Sequence, residues 1–497
     1  MSKPFVQPII AFLLGALAVL GFAPFYIFPA TIAALIGIIY LWAKAPTAKA
    51  CLKLGFQFGL GLYSVGIYWI YISLHDFGSM PWWFAGFCTL CLCAFMALFP
   101  ALVGYFSKRL TFLTISAPVL WGLSDWIRSW IFTGFPWLTI GYSQTPYSPL
   151  AGYMPIVGVY GVSIITVAIA ACIAIWLANK NQPVNLTWRR NAITAMTLLI
   201  AVGGILKVVP WSSPIGDPFS VSLIQGNIGQ DIKWRPDAAE RTMAQYVAMA
   251  QNSQADLIVL PETALPVIAS QLDPNIYTAL DSHAKQNNSN IIVGMVDYNR
   301  STQEYFNSAF SLGTAPTQSY SKNHLVPFGE FIPLKNMLGW VYRDWLNIPL
   351  SDLSRGGTHQ KPMLLKDQKI AVNICYEDVF GEEIISQLPE ATVLVNISND
   401  AWYGQSYAAD QHMQFSQARA LETGRMVLRS TNTGATAMID QHGYVLAHAP
   451  HDTQTTLNVT AQGYEGATPY VRWGNWPFII ISFGLLIGLL IKRRQHH

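Results

Sequence analysis

Charge is scarce in this 497-residue chain: 11% of residues are Asp, Glu, Lys or Arg, where a soluble globular chain carries about 25%. With 52% hydrophobic residues, that shortage excludes an ordinary soluble protein along the whole length. Acid is almost missing outside residues 211–470, where Asp76 and Asp125 are the only two carboxylates against 15 Lys and Arg. Inside 211–470 there are 25 acidic and 15 basic residues. The net charge of +3 thus hides an acidic region near −10 and an apolar region near +13. The basic balance therefore gives no indication of a nucleic-acid partner. Cysteine is sparse too. Of six, Cys51, Cys88, Cys91, Cys93 and Cys172 lie in or beside apolar stretches, and Cys375 alone lies in the acidic region. A disulfide framework needs pairs there, so none is expected. Cys91 and Cys93 have no His partner and read as packing. The histidines are scattered and no phosphate-cradling glycine loop appears, so neither a metal site nor a cofactor is expected.

Long apolar runs are what the chain does have. Eight stretches can cross about 30 Å of hydrocarbon, near residues 7–23, 26–43, 55–73, 83–106, 112–132, 153–177, 191–208 and 474–491. The first is followed at once by a second, without a clear small-residue cleavage site, and so reads as a span rather than a signal peptide. Eight spans put both termini on one side. Lys3, Lys44, Lys49, Lys53, Lys108, Arg109, Lys180, Arg189, Arg190, Lys492, Arg493 and Arg494 all fall there, 12 of the 15 basic residues of the apolar part. Positive loops stay inside, so cytoplasmic termini and an extracytoplasmic 211–470 are expected, periplasmic in a two-membrane bacterium. The expected domains are 1–210 with seven helices, 211–470, and 471–497 with the eighth helix and a basic tail. Asp125 and Arg128, among Trp121, Trp126 and Trp130, read as an interhelical pair at the outer interface beside an aromatic belt.

Residues 211–470 alternate between strand and helix patterns. Val221–Gln225, Leu257–Leu260, Ile291–Val296, Ile370–Ile374, Thr392–Ile397, Met426–Ser430 and Ala435–Ile439 read as strands, Phe306–Leu312 and Thr317–Ser321 as a hairpin around Gly313, and Ala238–Gln254 and Pro274–Asn287 as helices. That mixture predicts α/β or α+β layering around one core. Three polar residues stand at strand ends: Glu262, Lys322 and Cys375. A sheet fixes the backbone there while side chains converge. A carboxylate can take a thiol's proton, and an ammonium can stabilise thiolate and oxyanion.

The residues around these three carry a resemblance. Leu-Pro-Glu-Thr (260–263), Tyr-Ser-Lys-Asn-His-Leu-Val-Pro-Phe-Gly-Glu (320–330), Asn-Ile-Cys-Tyr-Glu-Asp (373–378), Asn-Ile-Ser-Asn-Asp-Ala-Trp-Tyr-Gly (396–404) and Gly-Arg-Met-Val-Leu-Arg-Ser-Thr-Asn-Thr-Gly (424–434) are similar to the nitrilase, or carbon–nitrogen hydrolase, superfamily with its Glu-Lys-Cys triad. With Gly-Phe-Pro-Trp (134–137), Gly-Tyr-Ser-Gln (141–144) and Gly-Val-Tyr-Gly (158–161), the whole chain resembles the apolipoprotein N-acyltransferase family. The resemblance implies an αββα sandwich on an eight-span body in the bacterial inner membrane. It implies a glycerophospholipid donor, a diacylated lipoprotein acceptor whose N-terminal cysteine amine is acylated, and two-step transfer through a thioester on Cys375. Glu262 would be the base and Lys322 the oxyanion cation, with the Tyr376 N–H beside it. Glu330 would position Lys322 or Glu262, and Tyr376 and Glu377 would serve acceptor use or site closure. Gln230 and Trp234 resemble a lid. The stretch Phe331–Ser354, with Trp340, Tyr342 and Trp345, reads as an interfacial arm dipping toward lipid. A membrane-tethered amidase using the same triad, or a transporter or scaffold whose soluble part only binds, remain as rivals. Eight spans exceed what an anchor needs, and the spans show no repeat halves.

Overall fold

The structure is a computed structural model that describes residues 6–180, 186–233, 235–331 and 352–495. The chain divides into two compact units: Met1–Tyr71, Pro81–Pro210 and Arg472–His497 form one, and Ile72–Met80 with Trp211–Val471 the other.

The first unit is helical. Each expected apolar stretch falls on helix: Val6–Ala18, Phe28–Lys44, Ala48–Gly66 with Trp69–Ile72, Trp82–Leu110, Leu113–Arg128, Met154–Ala178, Leu186–Leu206 and Trp476–Gln495. Among the described residues, four helices are long and apolar enough to cross a membrane, or five if the bent pair Ala48–Gly66 and Trp69–Phe77 counts as one span. Val6–Gly21, Phe28–Lys44 and the 16-residue Leu113–Arg128 fall short of that length. Glycines let the helices approach closely. A Cβ on Gly15 would sit 1.9 Å from the Phe58 carbonyl oxygen, and one on Gly61 2.0 Å from that of Phe12. The ion pair of Asp125 and Arg128 is not itself formed between two helices. They form an i,i+3 pair on one helix, 2.6 Å apart and buried, because that spacing puts both on one helical face. Asp125 also accepts from Ser163 Oγ (2.8 Å) and the Ile140 N–H (3.2 Å), and Arg128 donates to the Trp137 carbonyl (3.0 Å). The pair therefore pins the loop 137–140 instead of facing lipid.

The second unit contains two six-stranded sheets. Its strands are β1 (Ser213–Gln225), β2 (Leu257–Val259), β3 (Asn290–Asn299), β4 (Glu304–Gly313), β5 (Ser319–Ser321), β6 (Met363–Leu365), β7 (Gln368–Ile374), β8 (Val393–Ser398), β9 (Val427–Thr431), β10 (Ala437–Ile439), β11 (Val445–His448) and β12 (Thr455–Glu465). The sheet orders are β12-β1-β2-β3-β4-β5 and β11-β10-β9-β8-β7-β6. In each, three central strands run parallel (β1, β2, β3; β7, β8, β9) and the outer ones pair antiparallel. The sheets face each other, with Ser430 Oγ between them donating to the carbonyls of Ile224 (2.9 Å) and Val259 (3.0 Å). Apolar residues of the first sheet, among them Ile224, Ile258, Ile291 and Val293, pack under Tyr246, Ala250, Leu280 and Ala284 of the helices Pro236–Gln251 and Pro274–Gln286. Ala371, Leu394, Val427 and Ala437 of the second pack under Met413 and Ala420 of Ala408–Thr423. The result is an αββα arrangement whose central strands are buried on both faces, which explains their unbroken apolar runs.

Candidate active site

The three polar strand-end residues follow the carboxyl ends of β2, β5 and β7. Glu262 lies three residues past β2. Its loop is pinned by the Leu260 N–H on the Ile292 carbonyl (2.8 Å). It also passes over Gly294 so closely that a Cβ there would be 2.6 Å from the Pro261 oxygen and 2.6 Å from the Thr263 nitrogen. Lys322 follows β5 directly, and its N–H donates to the Asn307 carbonyl (2.8 Å). Its Nζ, 1% exposed as a side chain, lies 2.9 Å from Glu330 Oε1 and 3.6 Å from Glu262 Oε1. Asn307 Nδ2 donates to the same two oxygens, at 2.7 Å for Glu262 and 3.0 Å for Glu330. One amide and one ammonium thus hold both carboxylates.

Cys375 is the first residue after β7, with φ 54°, a left-handed conformation that a non-glycine residue adopts at a cost of roughly 1–3 kcal/mol. Its carbonyl accepts from Asn396 Nδ2 (3.1 Å) and from His412 Nε2 (3.1 Å). Burial pushes the thiol's proton affinity well up, and the Glu262 charge adds to this, while Lys322 and a Ser398 hydrogen bond pull the other way. The resting sulfur is therefore a thiol, and it becomes a nucleophile only by handing its proton to a base. Burial presses Lys322 toward neutrality, but Glu330, Glu262 and Cys375 outweigh it and hold the ammonium charged. Such a site can generate a thiolate and stabilise negative charge beside it.

The other expected residues are distributed as follows. Glu330 joins Lys322, as above, and its Oε2 accepts the Val326 N–H (2.8 Å). Glu377 is buried and accepts from the N–H groups of Ile374 (2.7 Å), Asn323 (2.6 Å) and His324 (3.2 Å) and from the Tyr320 hydroxyl (3.0 Å). It ties the Cys375 turn to the Lys322 loop. Tyr376 is buried with its ring near those of His324 (5.8 Å) and Phe380 (5.1 Å). Gln230 is away from these groups in hydrogen bonding, with its Oε1 accepting from Asn399 Nδ2 (2.7 Å). Trp234, Trp340, Tyr342 and Trp345 lie outside the described residues.

Two groups escaped the sequence reading. One is a buried cluster behind the Cys375 carbonyl. His412 lies between Asp378 Oδ1 (2.9 Å) and Asp400 Oδ1 (2.9 Å), and Arg429 pairs with Asp378 at 2.6 Å. Asp378, Asp400 and Arg429 stood inside recognised motifs, but His412 is on a helix without an apolar stripe, AADQHMQFSQARALET, which gives no periodic signal. The other is Lys233, buried beside Glu262. Its flanks, Asp-Ile-Lys-Trp, drew attention only to the tryptophan.

Two stacked sheets with parallel centres, helices on both outer faces and a strand-end cysteine make the second unit a nitrilase-type α/β fold. Comparison with known proteins narrows the class. Residues 220–470 match the Carbon-nitrogen hydrolase domain, and residues 14–172 match the Apolipoprotein N-acyltransferase N-terminal domain. A protein named apolipoprotein N-acyltransferase from Nitrosomonas europaea is 47% identical, over 97% of this chain and 97% of its own. One of the same name from Chromobacterium violaceum is 39% identical, over 98% and 94%. Among solved structures, Saccharomyces cerevisiae Nit3, a member of branch 10 of the nitrilase superfamily, aligns with 50% of this chain and 91% of its own at 16% identity and a TM-score of 0.38. The chain belongs to the apolipoprotein N-acyltransferase family, as its motifs implied, and is by that membership an acyltransferase.

Proposed function

We propose that this protein N-acylates the amino-terminal cysteine of diacylated lipoproteins, taking the acyl chain from a glycerophospholipid. Glu262 removes the Cys375 proton, and the sulfur attacks an ester carbonyl of the donor. Lys322, with the Tyr376 N–H, stabilises the oxyanion. The ester C–O bond breaks, lysophospholipid leaves with the proton held by Glu262, and a thioester remains on Cys375. The acceptor amine then attacks, gives its proton to Glu262, and the C–S bond breaks to leave an amide and a thiolate that regains the proton. A thioester suits this sequence because amines attack it readily while excluded water cannot hydrolyse it.

The observation that carries the reading is the shared hold of Asn307 and Lys322 on Glu262 and Glu330, beside a buried thiol at a strained turn. A carboxyl base beside an ammonium and a thiol is the arrangement that thiol acylation needs. Both substrates keep acyl chains in a bilayer, and exposing them would cost about 0.8 kcal/mol per methylene. We therefore assign the enzyme to the bacterial inner membrane, with eight spans, cytoplasmic termini and an extracytoplasmic catalytic part. The deciding experiment is intact-mass analysis of the full-length protein after exposure to phosphatidylethanolamine vesicles. A fatty acyl increment on the peptide containing Cys375, discharged by a diacylated lipopeptide, is expected. An unmodified Cys375 in protein that still transfers acyl chains overturns the mechanism.

A further inference from the structure

Lys233 ends the short helix Gln230–Lys233, where its N–H donates to the Gly229 carbonyl (3.1 Å). Its side chain is buried, at 1% exposure for the residue. The Nζ donates to the main-chain oxygen of Glu262 (3.1 Å) and to Thr263 Oγ1 (2.6 Å). Thr263 has φ 44°, and a β-branched residue in that region is a true outlier that its surroundings must hold in place. The ammonium therefore grips both the residue that carries the base and the strained residue after it. A neutral amide could satisfy the same two oxygens. A buried charge costs several kcal/mol in desolvation, so an ammonium at this position is an expensive anchor unless its field is used. The ionisable groups whose charges act on it are Glu262 and Cys375. The other cation at Glu262 is Lys322, 3.6 Å from Oε1.

We propose that Lys233 is a positioning residue for acyl transfer: it locks the Glu262–Thr263 turn and sets a positive charge beside the Glu262 side chain. This rests on the triad reading above. It assigns to the stretch beginning at Gln230 a second task, holding the base, which no lid role requires.

Burial pushes Lys233 down to about 8, with Glu262 and Cys375 opposing the shift. The sign is fixed: below that pH the ammonium is charged, and above it the field at Glu262 disappears. The test uses full-length enzyme in phospholipid–detergent micelles, phosphatidylethanolamine as donor and a synthetic diacylated lipopeptide as acceptor. Lys233→Gln, which keeps hydrogen bonding without charge, and Lys233→Met, which keeps neither, are compared with the parent for kcat, KM and Tm across pH values on both sides of the Lys233 transition. The expected result for Lys233→Met is a loss of roughly 10²-fold in kcat, the size associated with a misplaced catalytic group, at little change in donor KM. The parent should lose rate as pH rises through about 8, and Lys233→Gln should lack that limb. A kcat within roughly threefold of the parent for both variants, or an alkaline limb retained by Lys233→Gln, overturns the inference. If neither lysine variant folds, Thr263→Val against Thr263→Ser decides: loss in the first with rescue by the second supports the grip, and equal behaviour overturns it. Glu262→Gln and Cys375→Ala are run alongside. Transfer by either defeats the triad reading itself, whereas two inactive triad variants beside normal Lys233 variants defeat only this proposal.

Discussion

Cys375 combines a strained backbone with a thiol that burial makes hard to ionise, and both features have a use. The left-handed turn at φ 54° directs a residue out of the end of β7, and burial keeps its sulfur protonated until a base is ready. A serine there would fit but would need a far stronger base than Glu262. Cys375→Ser and Cys375→Ala should both fold, with a Tm near that of the parent, and both should lose N-acylation of a diacylated lipopeptide. Normal acylation by either would remove Cys375 from the chemistry. Lys322→Met removes the charge that Glu330 and Glu262 keep on the ammonium. It should lower the transfer rate by roughly 10²–10³-fold, as loss of an oxyanion donor does elsewhere. Steady-state rates for that variant close to the parent's would show that the oxyanion is held by other groups. Glu262 and Cys375 were visible in the sequence because each follows an apolar run, whereas Lys322 follows the polar Thr-Gln-Ser-Tyr-Ser (317–321) and stood out only through the motif around it. Lys233 was not visible, because no spacing rule connects residue 233 to residue 262.

At the level of elements, the central strands and the outer β4, β5 and β10 were legible, and β6, β11, β12 and the first half of β1 were not. β2, β3, β7, β8 and β9 are buried on both faces and written in Val, Ile and Leu. β12, TTLNVTAQGYE, is polar and partly exposed, and the first half of β1 contains Pro214, Gly216 and Pro218. These segments are strands because partners are present, which propensity alone does not encode. Gly294 shows what a strand interior contributes to the site, since its missing side chain makes room for the Glu262 loop. Gly294→Ala should destabilise by about 1–3 kcal/mol, as overpacking does, and should lower activity more than stability, measured by denaturant titration beside kcat. Unchanged activity would mean the loop can shift freely. The cluster on the Ala408–Thr423 helix makes a pH prediction. Although burial opposes it, Asp378 and Asp400 lift His412 to about 9, with Arg429 working against them. A raised base stabilises the fold fully below its unfolded value of about 6.5 and loses that contribution as pH rises through the folded value. Tm should therefore fall between about 6.5 and about 9 in the parent, and His412→Asn should flatten that slope. A parallel slope in both proteins would contradict the assignment.

For the molecule as a whole, the sequence carries one physical instruction that helix lengths alone do not: where its cations lie. Four or five described helices are long and apolar enough to cross a bilayer and three are shorter, while the eight apolar stretches and the charge pattern argue for an even number of crossings. Twelve basic residues fall on the side of the termini, and Lys or Arg in short loops resists translocation. The acidic region 211–470 has no such brake, and it is followed by an apolar helix, Trp476–Gln495, that ends in Lys492, Arg493 and Arg494. Under the proposed topology, with both ends inside, the long connection before that helix lies outside. This arrangement can be read with a membrane-impermeant maleimide on intact spheroplasts. Ser301 is exposed in the turn between β3 and β4, and Gln495 ends the last helix. Ser301→Cys should label at once, Gln495→Cys only after the membrane is permeabilised, and the parent, with its six cysteines, supplies the background. Labelling of Gln495→Cys in intact spheroplasts, with protection of Ser301→Cys, would invert the topology. The catalytic site would then face the cytoplasm, and an acceptor amine presented on the outer surface could not reach Cys375.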